Sequence, residues 1–125
     1  MIHLDTSFLI HALARDSSED RQLRRWLADG EAIGVSAVSW AEFLCGPVQP
    51  SHVELATRIV DAPVPFLDAD STLTARLFNS AGRRRGSFVD CMIAAVALRA
   101  GAFLATANPT DFRRFESAGL RLVVR

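Results

Sequence analysis

The sequence predicts an α/β domain with a mostly parallel central sheet flanked by helices on both faces. Two observations carry this expectation. Short apolar strands alternate with amphipathic helices along the whole chain, the order expected of parallel strands joined by crossover helices. The stretch Phe88 to Ala100 is apolar on nearly every side, which marks a central helix buried between other layers. With 125 residues, 50% of them hydrophobic, the chain (1–125) suits a single domain with a real core.

Each element has a local reason. Ile2 to Leu4 reads as a first strand, and Asp5-Thr6-Ser7 opens a helix through Phe8, Leu9, Ile10, Ala12 and Leu13. Ser17 and Ser18 are N-cap candidates for a helix carrying Leu23, Trp26 and Leu27, which Asp29-Gly30 ends. Ala32 to Val35 is a short strand, followed by a helix around Val38 to Leu44 that stops at Gly46-Pro47. Pro50-Ser51 begins another helix through Val53, Leu55, Ile59 and Val60, closed by Ala62-Pro63. Val64 to Leu67 reads as a strand and Asp70 to Ala81 as a helix. The central apolar helix follows Gly82 to Gly86 and is closed by Gly101. Phe103 to Ala105 is a strand, Asp111 to Ser117 a short helix, and Leu120 to Val124 a last strand. Sites in such folds gather at the carboxyl ends of strands, which singles out Asp5 and the segment after Ala105.

Composition narrows the function classes. No apolar run approaches the roughly 18 to 20 residues that span a bilayer, and Met1-Ile2-His3-Leu4-Asp5 has no basic leader. A soluble, cytoplasmic protein with no membrane partner is expected. Cys45 and Cys91 lie outside any C-x-x-C spacing, so they read as two small buried thiols and not as a disulfide framework or zinc site. All 14 basic residues are Arg and are balanced by 14 acids. That balance excludes a nonspecific polycation but leaves room for a local patch. From Arg76 to Arg99, the arginines 76, 83, 84, 85 and 99 face one acid, Asp90, and Arg is suited to gripping phosphate oxygens.

Three carboxylates stand in apolar surroundings: Asp5 after Ile2-His3-Leu4, Glu42 within Val38 to Leu44, and Asp90 at the head of the central helix. Burying ionised carboxylates without compensation is costly, and a hard divalent cation is the simplest shared partner. Capping is the competing explanation. Ser39-x-x-Glu42 and Ser87-x-x-Asp90 have capping-box spacing, and Asp5 could itself be an N-cap.

The run Ser87-Phe88-Val89-Asp90-Cys91-Met92-Ile93-Ala94-Ala95, continued by Phe103-Leu104-Ala105-Thr106-Ala107-Asn108-Pro109-Thr110-Asp111-Phe112, resembles the carboxyl half of a PIN domain. Leu4-Asp5-Thr6-Ser7 and Ser36-x-x-Ser39-x-x-Glu42-x-x-x-Gly46 resemble its other two motifs, in the family's order. The nearest likeness is to VapC-type toxins of type II toxin-antitoxin pairs. The resemblance implies a PIN-like nuclease domain acting as an Mg2+- or Mn2+-dependent ribonuclease toxin. Asp5, Glu42 and Asp90 match the acidic positions that gather one or two ions. The fourth acidic position falls at Asn108, and Asp111, three residues on, is the substitute carboxylate or the N-cap of the next helix. An activated water would attack phosphorus in line, leaving 5'-phosphate and 3'-hydroxyl ends. The resemblance also implies a small cognate antitoxin and a toxin homodimer.

Candidate substrate contacts are Thr6, Ser7, Arg83, Arg84, Arg85 and Thr106. Trp40 is a base-stacking candidate beside Glu42, with a core position as its plainer role. His3, His11 and His52 read as structural or surface residues, since this chemistry needs no catalytic His. Two other classes compete: a noncatalytic PIN-like module that binds RNA or protein, and a phosphatase using Asp5 as covalent nucleophile. The second lacks an acid two residues after Asp5, where Ser7 stands.

Overall fold

In the computed structural model, which describes residues 1–123, the strands are short and their register does most of the organising. The elements run β1 (Ile2–Leu4), α1 (Thr6–Ala12), α2 (Ser18–Ala28), β2 (Ile33–Gly34), α3 (Ala37–Cys45), α4 (Pro50–Ile59), α5 (Asp68–Ser80), α6 (Phe88–Ala100), β3 (Phe103–Ala105) and β4 (Arg121–Leu122), with 3-10 helices at Pro109–Asp111 and Arg113–Ala118 before β4. The sheet order is β2-β1-β3-β4, and all three pairings are parallel. The chain leaves β1 toward β2 on one side and meets β3 on the other. The crevice at such a switch point lies beyond the carboxyl ends of the strands.

Each face of the sheet has its own core, as the predicted α/β sandwich requires. Ile2, Leu4, Phe8, Leu9, Leu23, Val35 and Phe43 cluster on one side with α1 to α4. Leu77, Ile93, Ala94, Leu104, Phe112 and Phe115 cluster on the other with α5, α6 and the 3-10 segment. Small residues Ala94, Ala95 and Ala97 are fully buried along α6, so this helix sits close against its neighbours. Gly101 ends it in the left-handed region at φ 65°, where a Cβ would be strained.

Three expectations need correction. Val64 to Leu67 is not a strand: it makes one parallel bridge, Ser36 to Val64. Pro63 and Pro65 flank that bridge and have no backbone N–H to extend the ladder. The short helix at Asp111 to Ser117 is a pair of 3-10 turns. Of the last strand, Arg121–Leu122 pairs with β3, and the predicted Val124 lies outside the described residues. Cys45 is exposed; only Cys91 is buried.

His3 is 1% exposed and faces Gly34 across the β1–β2 register. A Cβ at position 34 would stand 3.0 Å from His3 Cδ2, so glycine there makes room for the ring. Neither ring nitrogen has a hydrogen-bond partner among the described residues. Burial first, then the positive N-terminus and Arg99, lower the His3 pKa to about 4.

Candidate active site

The pairing of β1 with β3 builds the first corner of the site. Leu4 lies opposite Ala105, and the Asp5 N–H donates to Ala105 O at 3.0 Å. Asp5 thus stands beside Thr106 at two adjacent strand ends. It is also the N-cap of α1, its Oδ1 accepting from the Phe8 N–H at 2.8 Å and from Ser7 Oγ at 2.8 Å. Ser7 Oγ in turn accepts from the Ala107 N–H at 3.1 Å, and Thr106 Oγ1 accepts from the Asn108 N–H at 3.0 Å. These hydroxyls fasten the two strand ends together around the carboxylate. Asp5 is 4% exposed, and burial raises its pKa. Bonds from Thr106, Phe8 and Ser7 pull it back, and the Glu42 charge pushes it up again.

Glu42 reaches the site from α3. The cap of that helix is Ser36, whose hydroxyl accepts from the Ser39 N–H at 3.0 Å. The Ser39-to-Glu42 capping box therefore does not form. Glu42 Oε1 instead accepts from Thr6 Oγ1 at 2.6 Å, a link between α1 and α3. Its side chain is exposed, contrary to the expectation of a core position.

Asp90 enters on the first turn of α6. Ser87 does not cap it with its side chain, because its hydroxyl donates to Arg84 O at 2.6 Å. Asp90 is half-buried and raised to about 6, first by burial, then by the charge of Asp111. Arg114 opposes this, while Glu42 and Asp5 add to it. The four carboxylates therefore share one field. A cleft of about 180 Å³ opens beside them, lined by Arg84, Arg85, Ser87, Asp90, Asp111 and Arg114.

Among the described residues, no three acidic side chains converge closely enough to form a ready coordination cluster. The donor set still fits a hard cation. All donors are oxygens, and burial first, with the neighbouring carboxylate charges adding to it, raises Asp5 and Asp90; a divalent ion would offset both.

The remaining candidates divide. Thr6, Ser7 and Thr106 orient the carboxylates and their strand ends. Asp111 faces the cleft and caps nothing, since Phe112 holds the cap position of the following turn. Asn108 begins the first 3-10 turn with no side-chain cap bond. Arg84 and Arg85 line the cleft, but Arg83 turns back onto Asn79 and the Phe78 ring. Arg99 leaves the predicted basic patch altogether: its Nε donates to Asp70 Oδ1 at 2.7 Å and its Nη2 to Pro65 O at 2.8 Å. Trp40 packs against Phe43; two residues from Glu42 on a helix, it points to nearly the opposite side.

Sequence reasoning missed Arg114. The available signal was Arg113-Arg114 just after Asp111, a basic pair beside an acid already under suspicion.

A PIN domain model matches residues 2–117. The chain belongs to the PIN domain family. PIN proteins are nucleases, in general hydrolases. No curated protein sequence matches this PIN chain. Among solved structures, it is similar to VapBC2 from Rickettsia felis bound to a DNA fragment from their promoter, with TM-score 0.76, 21% identity and 98% of each chain covered. VapBC-1 from nontypeable Haemophilus influenzae matches with TM-score 0.75 and 23% identity over 98% of this chain and 97% of that one. A toxin-antitoxin complex from Klebsiella pneumoniae matches with TM-score 0.73 and 19% identity over 90% and 91%. At these identities the likeness is one of fold, and it covers 90% to 98% of this chain.

Proposed function

We propose that this PIN domain is a divalent-metal-dependent endoribonuclease, the toxin of a toxin-antitoxin pair, which leaves 5'-phosphate and 3'-hydroxyl ends. The observation that carries the reading is the shared field of Asp5, Glu42, Asp90 and Asp111 beside an arginine-lined cleft. Asp5, Glu42 and Asp90 would hold one or two Mg2+ or Mn2+ ions, with Asp111 or Asn108 as a further oxygen donor. A bound ion supplies activation of a water and neutralisation of charge on the leaving oxygen. The chain's own residues do the positioning. Ser7 and the Phe8 N–H fix the Asp5 carboxylate, and Thr6 keeps Glu42 turned toward it. Arg84 and Arg85 neutralise RNA phosphates at the rim, giving sequence-independent affinity. Glu42 stays partly outside the core, where solvent and substrate both reach it.

An antitoxin fits next to this site. A groove of about 440 Å³ runs past Ile10, Leu13, Phe43, Pro47 and Val48 and reaches Glu42. An amphipathic antitoxin segment lying there, with a basic residue on Glu42, would obstruct the carboxylates. The similarity to toxin-antitoxin complexes supports this partner. Exposed Phe88 and Val89 at the start of α6 offer apolar surface to a second copy, which supports a homodimer. The cytoplasm, where cellular RNA is found, is the proposed place of action, and no described helix is long and apolar enough to cross a membrane.

A noncatalytic binding module is the second reading, favoured by the lack of a converged acidic cluster among the described residues. Incubating the purified protein with total cellular RNA in Mg2+, Mn2+ or EDTA separates the two. Metal-dependent cutting that Asp90→Asn abolishes supports the nuclease; binding without cutting, in either metal, supports the module.

A further inference from the structure

We infer that Arg114 is a substrate-contacting residue, a guanidinium that grips an RNA phosphodiester in the cleft shared with Arg84 and Arg85. The inference rests on the ribonuclease reading and assigns its phosphate contact. Arg114 belongs to the second 3-10 turn, far in sequence from the Arg83-Arg84-Arg85 run, yet it lines the same cleft.

Its contacts are those of a cation kept ready for another anion. The guanidinium carbon lies 4.8 Å from the centre of the Phe115 ring, which supports the flat group from one side. Its side chain is 18% exposed, and its one ion pair among the described residues is Nη2 to Asp90 Oδ2 at 3.7 Å. That distance exceeds the 2.7–2.9 Å typical of a charge-assisted hydrogen bond. Its buried Nε has no hydrogen-bond partner among the described residues. A guanidinium has five N–H donors arranged in a fork, so this one keeps a nearly unused donor set inside a polar cleft. An unused buried donor is expensive, and a phosphodiester offers two non-bridging oxygens at the spacing of that fork.

The cleft's charge also suits a phosphate. Arg84, Arg85 and Arg114 face Asp90 and Asp111 there, leaving an excess of one positive charge before any ion is added. Cations on the carboxylates would weaken the hold of Asp90 on Arg114 and free the fork for RNA. Arg114 therefore competes mildly with a cation for Asp90 and cooperates with it in binding substrate.

The test uses the intact protein and a fluorescent single-stranded RNA in EDTA, where binding is read without cutting. Arg114→Met keeps an unbranched apolar stem over Phe115 while removing the charge. It should weaken RNA binding about tenfold and lower the slope of log K against log salt by about 0.7. Arg114→Lys keeps the charge but loses the fork, so its affinity should fall between the two and its salt slope should match wild type. Arg58→Met makes the same charge change on α4, where Arg58 pairs with Glu54 at the surface, and should leave RNA binding unchanged. Mn2+ titration should show Arg114→Met binding the ion a few-fold tighter than wild type. A folded Arg114→Met with wild-type RNA affinity and salt slope overturns the assignment alone. A wild type that neither binds nor cuts RNA overturns the ribonuclease reading and the assignment with it. Should Arg114→Met fail to fold, Arg114→Lys decides: unchanged RNA affinity overturns the fork contact, and a several-fold loss supports it.

Discussion

The two ends of α6 carry the same pair of residue types in opposite states. At the far end, Arg99 meets Asp70 at 2.7 Å and Asp70 is 0% exposed. Asp70 Oδ2 also accepts from the Leu67 N–H at 2.8 Å, and Arg99 holds Pro65 O, so the pair is closed and its polar atoms are used. At the near end, about 13 Å away along the helix, Arg114 and Asp90 stand 3.7 Å apart with the Asp90 side chain 31% exposed. Asp90 is pushed up to about 6 while Arg114 Nε is unpaired among the described residues. The closed pair anchors the chain between α4 and α5 to the helix. The open pair leaves its interactions incomplete, and that incompleteness is what makes this end the candidate functional site.

Removing one partner at each end of α6 separates the two pairs most sharply. Asp90→Asn should reduce RNA cleavage by more than about a hundredfold, since loss even of groups that merely orient metal ligands costs about 10- to 100-fold. Its thermal unfolding should be unchanged or higher without metal, because a repelled carboxylate is removed. Mn2+ should raise the melting temperature of wild type but not of this variant. An unfolded Asp90→Asn would return Asp90 to a structural role.

Arg99→Met should do the reverse. It strands a buried carboxylate, a change worth about 3 kcal/mol of stability, readable by urea unfolding. Cleavage per folded molecule should stay near wild type. A large loss of activity in a folded Arg99→Met would place the far end in the site after all.

His3 lies between these extremes and gives the comparison a pH axis. Its folded pKa, about 4, is below its unfolded value of 6.5. The unfolded chain therefore binds more protons between those values, and stability falls as pH drops from about 6.5 to about 4, then levels off. The full loss is about 3 kcal/mol. Melting curves at fixed ionic strength should show this limb, and His3→Asn should flatten it. Arg99→Met should raise the lower end of the limb slightly and so shorten it, because the Arg99 charge helps hold His3 neutral in the folded state.

The smallest effect expected is that of Thr6→Val, which removes the hydroxyl on Glu42. Cleavage should fall about tenfold, with the melting temperature nearly unchanged. Wild-type activity in this variant would mean that Glu42 needs no such guide.

Much of this molecule was legible in one sequence. The apolar Phe88–Ala100 helix, the strands at Ile2 and Phe103, and the place of Asp5 at a strand end follow from patterning and from the switch-point rule. Harder to read was which polar neighbour each charged group would choose. Ser36, three residues before the expected Ser39, caps α3 and leaves Glu42 to accept from Thr6 instead. Arg99 sits in an arginine-rich stretch, but helical geometry carries it to the other end of α6 and onto Asp70. For Arg114 the sequence offered only the basic pair Arg113-Arg114 after Asp111, because its place in the cleft depends on where the 3-10 segment folds back. Asp5 caps α1, and that bond leaves it in place for its proposed role at the site. The proline-flanked bridge at Val64 has a strand's hydrophobicity without a strand's donors.

The hydroxyl clasp around Asp5 has a consequence in time. Ser7 Oγ meets the Ala107 N–H across a sequence separation of 100 residues, and Asp5 leans on Ala105 O. No fragment ending before β3 can complete that corner. For a protein whose proposed target is RNA, and which is made on a ribosome, the proposed site would stay incomplete in a growing chain until Ala107 has been synthesised and folded against Ser7.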